Sequence, residues 1–329
     1  MEGVMFMETL ESRRLYSVVT LTADTTQVLT LHSGETLDGN GHTVGGLKAD
    51  DVSNVSVNDL RVKGKTGSGI NIYSDTPGIS GLTLNDVTIS GFSSGYGLII
   101  DTGGQGTYSN IYIYDVTAFN NGIAGIATYG NVGSITQFSL LDSIAYDNPG
   151  IHNSGTPSGS GIMVAGLNGG VIENCQAYGN GANNNSPDGP VGIFAYSSND
   201  VVISDCYSHN NTTQINDGGG FDLDGGVTNS EIIDCVSSNN FGYGYAAFTY
   251  AGGGPNSGNS FIDNTSTGDK EGFVYWSNGP AITDLTVSGN TFLNPTSGDA
   301  IVGGAGSAYG EIVLTDNTYS ASVLIVSEA

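Results

Sequence analysis

The strongest constraint on this chain is a repeat that runs almost its whole length. Short β-favouring segments recur, each opened by one marker residue: Asp59-Leu-Arg-Val, Asp86-Val-Thr-Ile, Asp115-Val-Thr-Ala, Asp142-Ser-Ile-Ala and Asn174-Cys-Gln-Ala. The series continues through Asp205-Cys-Tyr-Ser, Asp234-Cys-Val-Ser, Asp263-Asn-Thr-Ser, Gly289-Asn-Thr-Phe and Asp316-Asn-Thr-Tyr, at spacings of 27, 29, 27, 32, 31, 29, 29, 26 and 27 residues. A second series keeps step with it, each member opening on glycine: Gly69-Ile-Asn-Ile, Gly97-Leu-Ile-Ile, Gly125-Ile-Ala-Thr, Gly161-Ile-Met-Val, Gly192-Ile-Phe-Ala, Gly220-Phe-Asp-Leu, Gly244-Tyr-Ala-Ala and Gly272-Phe-Val-Tyr. Each period therefore carries at least two strands. Such a unit cannot bury its apolar face alone, but stacked copies build one continuous core. The expected fold is all-β, a parallel β-helix or solenoid of about ten coils.

Composition agrees. Glycine supplies 52 of 329 residues and charged side chains only 12%, against averages of about 7% and about 25%. That much glycine speaks for many turns between short segments and against a helical bundle. The formal net charge of −25 excludes the phosphate-neutralising surface of a nucleic-acid binder. No apolar run approaches the roughly 20 residues of a membrane span.

The repeat resembles that of the right-handed parallel β-helix superfamily, which includes pectate lyases, polygalacturonases and alginate epimerases, from about Asp38 to Tyr319. The resemblance implies a right-handed solenoid and a carbohydrate partner, and it specifies fold better than chemistry. Residues 1–37 are expected to form a leader and an N-terminal cap, with Val18-Val-Thr-Leu and Val28-Leu-Thr-Leu covering the first coil, and residues 38–329 one β-helix domain. The segment Leu10-Glu11-Ser12-Arg13-Arg14-Leu15 resembles the leaders of exported planctomycete proteins. It implies a bacterial protein that is secreted or held at the cell surface, and a monomer is expected.

Cys175, Cys206 and Cys235 each follow a marker residue, so neighbouring coils would stack them about 4.8 Å apart in one row. Asn264, Asn290 and Asn317 take the same place in the next three coils, where amides can bond along the stack. All six are read as packing; a disulfide would leave one cysteine odd.

Loops of uneven length collect on one face of a solenoid and often frame its site. Three long ones, 147–160, 179–190 and 209–217, adjoin the glycine series. Within that series the positions two and four after the glycine face outward. Position four reads Tyr73, Asp101, Tyr129, Ala165, Tyr196, Asp224, Phe248 and Trp276; position two includes Phe194 and Asp222. Sugar rings stack their CH faces on such aromatics, so Tyr73, Asp101, Tyr129, Phe194, Tyr196, Phe248 and Trp276 are candidate substrate contacts for a polysaccharide or oligosaccharide. The same side chains could instead form a secondary core beneath the loops.

The sharpest local feature is Asp217-Gly-Gly-Gly-Phe-Asp222-Leu-Asp224-Gly-Gly. Carboxylates at i and i+2 of a strand share a face about 6.5–7 Å apart, the lower edge of the roughly 6.5–9.5 Å used by inverting glycosidases. Asp222 and Asp224 are thus candidate general acid and base, with Asp217 tuning them through like-charge proximity. The same cluster of Asp217, Asp222 and Asp224 could instead hold Ca²⁺ through hard oxygen ligands, or simply solvate a turn. Lys270 and His209 are candidates for a proton-transfer role nearby.

Departures from the resembled families narrow the chemistry. Their lyases rely on Arg or Lys to abstract a proton, yet the only arginines are Arg13, Arg14 and Arg61. Asn-Thr-Asp, Gly-His-Gly, Arg-Ile-Lys and Asp-Pro-His-Glu elements are absent. The negative charge repels polyanionic chains unless calcium bridges them. The leading expectation is glycoside hydrolysis by paired aspartates with no cofactor required; the rivals are a calcium-dependent polysaccharide lyase or epimerase and a non-catalytic glycan-binding or adhesion domain.

Overall fold

The computed structural model describes residues 17–186 and 188–327; the leader segment lies outside them. The chain winds as a right-handed parallel β-helix. One sheet contains twelve strands, each paired with the next coil, from Val28–Thr30 through Ala124–Tyr129, Val191–Tyr196, Gly219–Leu223 and Tyr245–Thr249 to Ser322–Ser327. These strands carry the glycine series, so we call it the glycine sheet. A twenty-stranded sheet carries the marker series.

The marker residues bend the chain. Every Asp or Asn marker holds φ between 46° and 54°, and Gly289 holds 72°. Only Gly, Asn and Asp visit this left-handed region routinely, because a short polar side chain bonds locally where a Cβ would otherwise crowd the backbone. Further left-handed corners stand five residues before the marker, as at Asn110, Asp200 and Asp284, and five after it, as at Asn120, Asp147 and Asn210. A coil therefore has three straight segments rather than two.

Between the sheets, equivalent side chains stack into columns. Ile70, Leu98, Ile126, Ile162, Ile193, Phe221, Tyr245, Phe273 and Ile301 are in register from coil to coil, and all are fully buried. The cysteines continue such a column: Cys175 N–H donates to Cys206 Sγ and Cys206 N–H to Cys235 Sγ. Cys235 N–H then donates to Asn264 Oδ1, with Asn290 and Asn317 following in the same way. All three cysteines are free and buried, and burial pushes the Cys175 and Cys206 thiols well up, the mark of inert packing thiols.

A longer ladder escaped the sequence reading. Asn121, Asn148, Asn180, Asn211 and Asn240 stand six residues after their markers, are buried, and pass amide hydrogen bonds down the stack to Asp269. This ladder crowds six members of the glycine series. A Cβ on Gly97, Gly125, Gly161, Gly192 or Gly220 would come within 3.0 Å of the corresponding asparagine amide nitrogen, and one on Gly244 within 2.8 Å of Asp269 Oδ2. In these six strands the ladder takes up the space a Cβ would need; at Gly69 the crowding comes from Ile89 and Phe92, and at Gly272 from Phe292.

At the N-terminal end the described residues continue the two sheets. Ser17–Thr20 pairs in register with Glu35–Asp38, and Val28–Thr30 with residues 46–48.

Candidate functional site

The outer face of the glycine sheet carries a groove of about 1130 Å³ over its central coils. All three long loops line it: Thr156 and Pro157 from the first, Asp188 and Gly189 from the second, Ile215, Asn216 and Asp217 from the third. The loops also bury part of the sheet beneath them, where Val191, Phe194, Tyr243 and Ala246 form a small apolar cluster with Met163, Tyr196, Phe248 and Val274 against it. Position two is thus outward, as expected from strand alternation, yet covered rather than solvated.

Asp222 stands in the middle of this cluster. The strand Gly219–Leu223 places it in register between Phe194 and Ala246, and only 3% of it is exposed. Tyr243 Oη donates to its Oδ2 at 3.3 Å, while its Oδ1 is buried with no partner. Burial pushes the carboxyl well above the ordinary range; Asp224 and Asp217 add repulsion, and the Tyr243 hydrogen bond opposes it. Two residues on, Asp224 is half-buried and accepts from Gly225 N–H at 2.7 Å. Burial raises it to about 7, with Asp217 and Asp188 pushing the same way. Asp217 accepts from Gly189 N–H at 2.7 Å, tying two of the loops together, and is also raised, first by burial.

The glycine run before Asp222 has separate local causes. Gly218 turns at φ 71°. Gly219 lies under the Tyr243 ring, where a Cβ would meet Cε2 at 2.2 Å. Gly220 faces the asparagine ladder.

The groove brings together Asp217, Asp222, Asp224 and Lys270 with Tyr129, Phe194, Tyr196, Phe248 and Trp276. Lys270 Nζ sits 3.3 Å from Glu271 Oε1, a partner not singled out from sequence. Tyr73 and Asp101 share the outward row with Tyr129 but do not line the groove. His209 is elsewhere. It belongs to the marker sheet, its ring stacked on Tyr178 at 4.9 Å and on Tyr207 at 4.3 Å, with Gln176 and Asn210 amides at its two nitrogens. Burial lowers its pKa, so it is a neutral member of an aromatic stack with Phe119 and Tyr146 and has no access to the cluster.

Sequence reading missed Tyr243, Tyr96, Tyr250, Phe241 and Asp188, all of which line the groove. Tyr243 precedes its glycine instead of following it; the alternation Phe241-Gly-Tyr243-Gly-Tyr245 was the available signal. Among the described residues no group of three His, Cys, Asp or Glu side chains is arranged to hold a metal ion.

No protein family matches the chain, and no curated protein does. Solved structures match its fold. A lacto-N-biosidase from Eubacterium ramulus aligns with 96% of this chain and 63% of its own at 12% identity, TM-score 0.57. The Dettilon tailspike protein aligns with 95% and 61% at 16% identity, TM-score 0.53. A surface adhesin of Streptococcus pneumoniae aligns with 95% and 84% at 10% identity, TM-score 0.53. The chain thus spans about 60% of the length of the biosidase and the tailspike.

Proposed function

We propose that this protein is an extracellular carbohydrate-active β-helix that holds a non-acidic oligosaccharide or polysaccharide in the groove and hydrolyses a glycosidic bond there. The observation that carries the reading is the Asp222 carboxyl, buried among aromatics with one oxygen bonded to Tyr243 and the other without a partner. Burial pushes this carboxyl up and so favours its protonated form, and a proton on Oδ1 has no acceptor in the protein. A glycosidic oxygen supplies one. In this reading Asp222 is the general acid and Asp224, which titrates near neutrality, is the base that activates water. Their placement at i and i+2 suits inversion. The aromatic walls position sugar rings, and the fold shared with a lacto-N-biosidase and a tailspike supports a glycan partner outside the cell.

The lyase alternative needs a base free to take a carbon-bound proton. His209 is remote and Lys270 is held by Glu271, which supports hydrolysis over elimination. The test is cleavage of a glycan panel by the full chain, with reducing ends and unsaturated products assayed separately. We expect new reducing ends, no ultraviolet-absorbing products and no effect of a chelator. Asp222→Asn and Asp224→Asn should each slow cleavage about 10²- to 10⁴-fold. Glycan binding without turnover, or full activity in both variants, overturns the assignment.

A further inference from the structure

The charge in the groove is one-sided. Its described acidic lining residues are Asp188, Asp217, Asp222, Asp224 and Glu271, and its basic one is Lys270, already paired with Glu271 at 3.3 Å. Among the described residues no ion pair reaches any of the four aspartates. Asp222 Oδ1 is an independent sign that something from outside belongs here, because a buried polar atom without a partner is costly.

Resting on the glycan reading above, we propose that the groove takes a glycan bearing free primary amines, with one ammonium among Asp188, Asp217 and Asp224 while Asp222 faces the neighbouring sugar. An ammonium brings three donors and one positive charge. Asp217 Oδ2 and Asp224 Oδ1 each accept a backbone N–H already, and their other oxygens remain for a ligand. Aromatic faces attract the same cation: Tyr129, Tyr196, Phe248, Tyr250 and Trp276 line the groove with the carboxylates.

The titratable groups facing the cluster argue the same way. Asp188 comes from loop 179–190, Asp217 from loop 209–217, Asp222 and Asp224 from the strand, and Tyr243 and Tyr250 from the following coil; the one cation among the described lining residues, Lys270, is paired with Glu271. Burial and mutual repulsion raise the carboxyls, and a cation reverses both effects by favouring the charged forms. A bound ammonium therefore favours Asp224 as the ionised base, while burial, which is deeper at Asp222, still favours the protonated form there. An acetylated amine leaves the carboxyls uncompensated, and a uronate adds repulsion.

The test titrates glucosamine oligomers and N-acetylglucosamine oligomers of equal length into the full chain by calorimetry, and follows cleavage of both. The amino oligomers should bind about tenfold tighter or more, with the gap widening as pH rises towards neutrality. It should shrink in Asp188→Asn, an exposed and fold-safe position, and shrink further in Asp217→Asn. Equal or reversed preference overturns the proposal, as does equally tight binding of a lysine oligomer of the same charge, which would show plain attraction to an acidic protein. Amine preference without cleavage upholds this inference and counts against hydrolysis. Cleavage confined to acetylated oligomers does the reverse.

Discussion

Tyr243 donates to Asp222 Oδ2 at 3.3 Å, and this contact decides which oxygen of the buried carboxyl can carry a proton into the groove. The Tyr243 ring is held edge-on against Phe248, with centroids 5.1 Å apart and planes at 79°. Tyr243→Phe keeps that packing and removes the donor. Because the hydrogen bond favours the ionised carboxyl, its loss should move Asp222 ionisation to still higher pH, read by carbon-13 NMR of labelled aspartate. The stability cost should be about 1 kcal/mol. In a cleavage assay the alkaline limb should shift upward as well; an unmoved titration would show that the contact does not govern Asp222.

The raised carboxyls also make stability depend on pH in an unusual direction. Asp224 titrates at about 7 and Asp222 well above the carboxylate range, against about 3.9 in an unfolded chain. Between those values the folded state binds protons that the unfolded state has released. Their contribution is full below about pH 4 and is lost as pH rises, by up to about 1.4 kcal/mol per pH unit and group. Thermal unfolding across this range should show the wild type losing melting temperature faster than Asp222→Asn or Asp224→Asn. Parallel curves for all three would contradict the assigned burial.

Gly219→Ala tests how the fold seats the site. The added Cβ would lie 2.2 Å from Tyr243 Cε2, and the Tyr243 backbone cannot retreat easily, since its carbonyl accepts from Gly220 N–H at 2.8 Å. The ring must move. Overpacking should cost about 1–3 kcal/mol, and Asp222 should titrate as it does in Tyr243→Phe. A variant with unchanged stability and titration would mean the ring has room that the structure denies it.

What the sequence revealed and what it hid follow one distinction. Features with a fixed place in every coil were legible: Asp59 to Asp316 as markers, Gly69 to Gly272 as strand openings, and Cys175, Cys206 and Cys235 as one row. Their causes were less so. Asp and Asn mark corners through positive φ, and from Gly97 to Gly244 the ladder from Asn121 to Asp269 occupies space a Cβ would need. Asp222 and Asp224 stood out by breaking the apolar pattern. Asp188 did not, because it reaches the groove from an insertion loop, and Tyr243 did not, because it stands one residue before its glycine, outside the two positions read as outward. His209 misled because adjacency to an insertion loop says nothing about which sheet a side chain faces.

The asparagine ladder supplies the last prediction. Its final member is Asp269, fully buried, accepting from Asn240 Nδ2 at 2.8 Å and from Ser266 Oγ at 2.6 Å. Burial raises its pKa, so keeping it folded costs stability as pH climbs through its titration. Asp269→Asn should remove that cost without losing the network. Asn240 and Asn211 already show the geometry, donating from Nδ2 to Ser237 Oγ and Ser208 Oγ at 2.9 and 3.0 Å, and an amide at 269 can donate to Ser266 Oγ in the same way. The variant should match the wild type in acid and exceed it by about 1 kcal/mol at neutral pH and above, measured by chemical denaturation at both. Destabilisation at both pH values would mean that the ladder needs an acceptor on both oxygens at its end, and that the acid is there for hydrogen bonding alone.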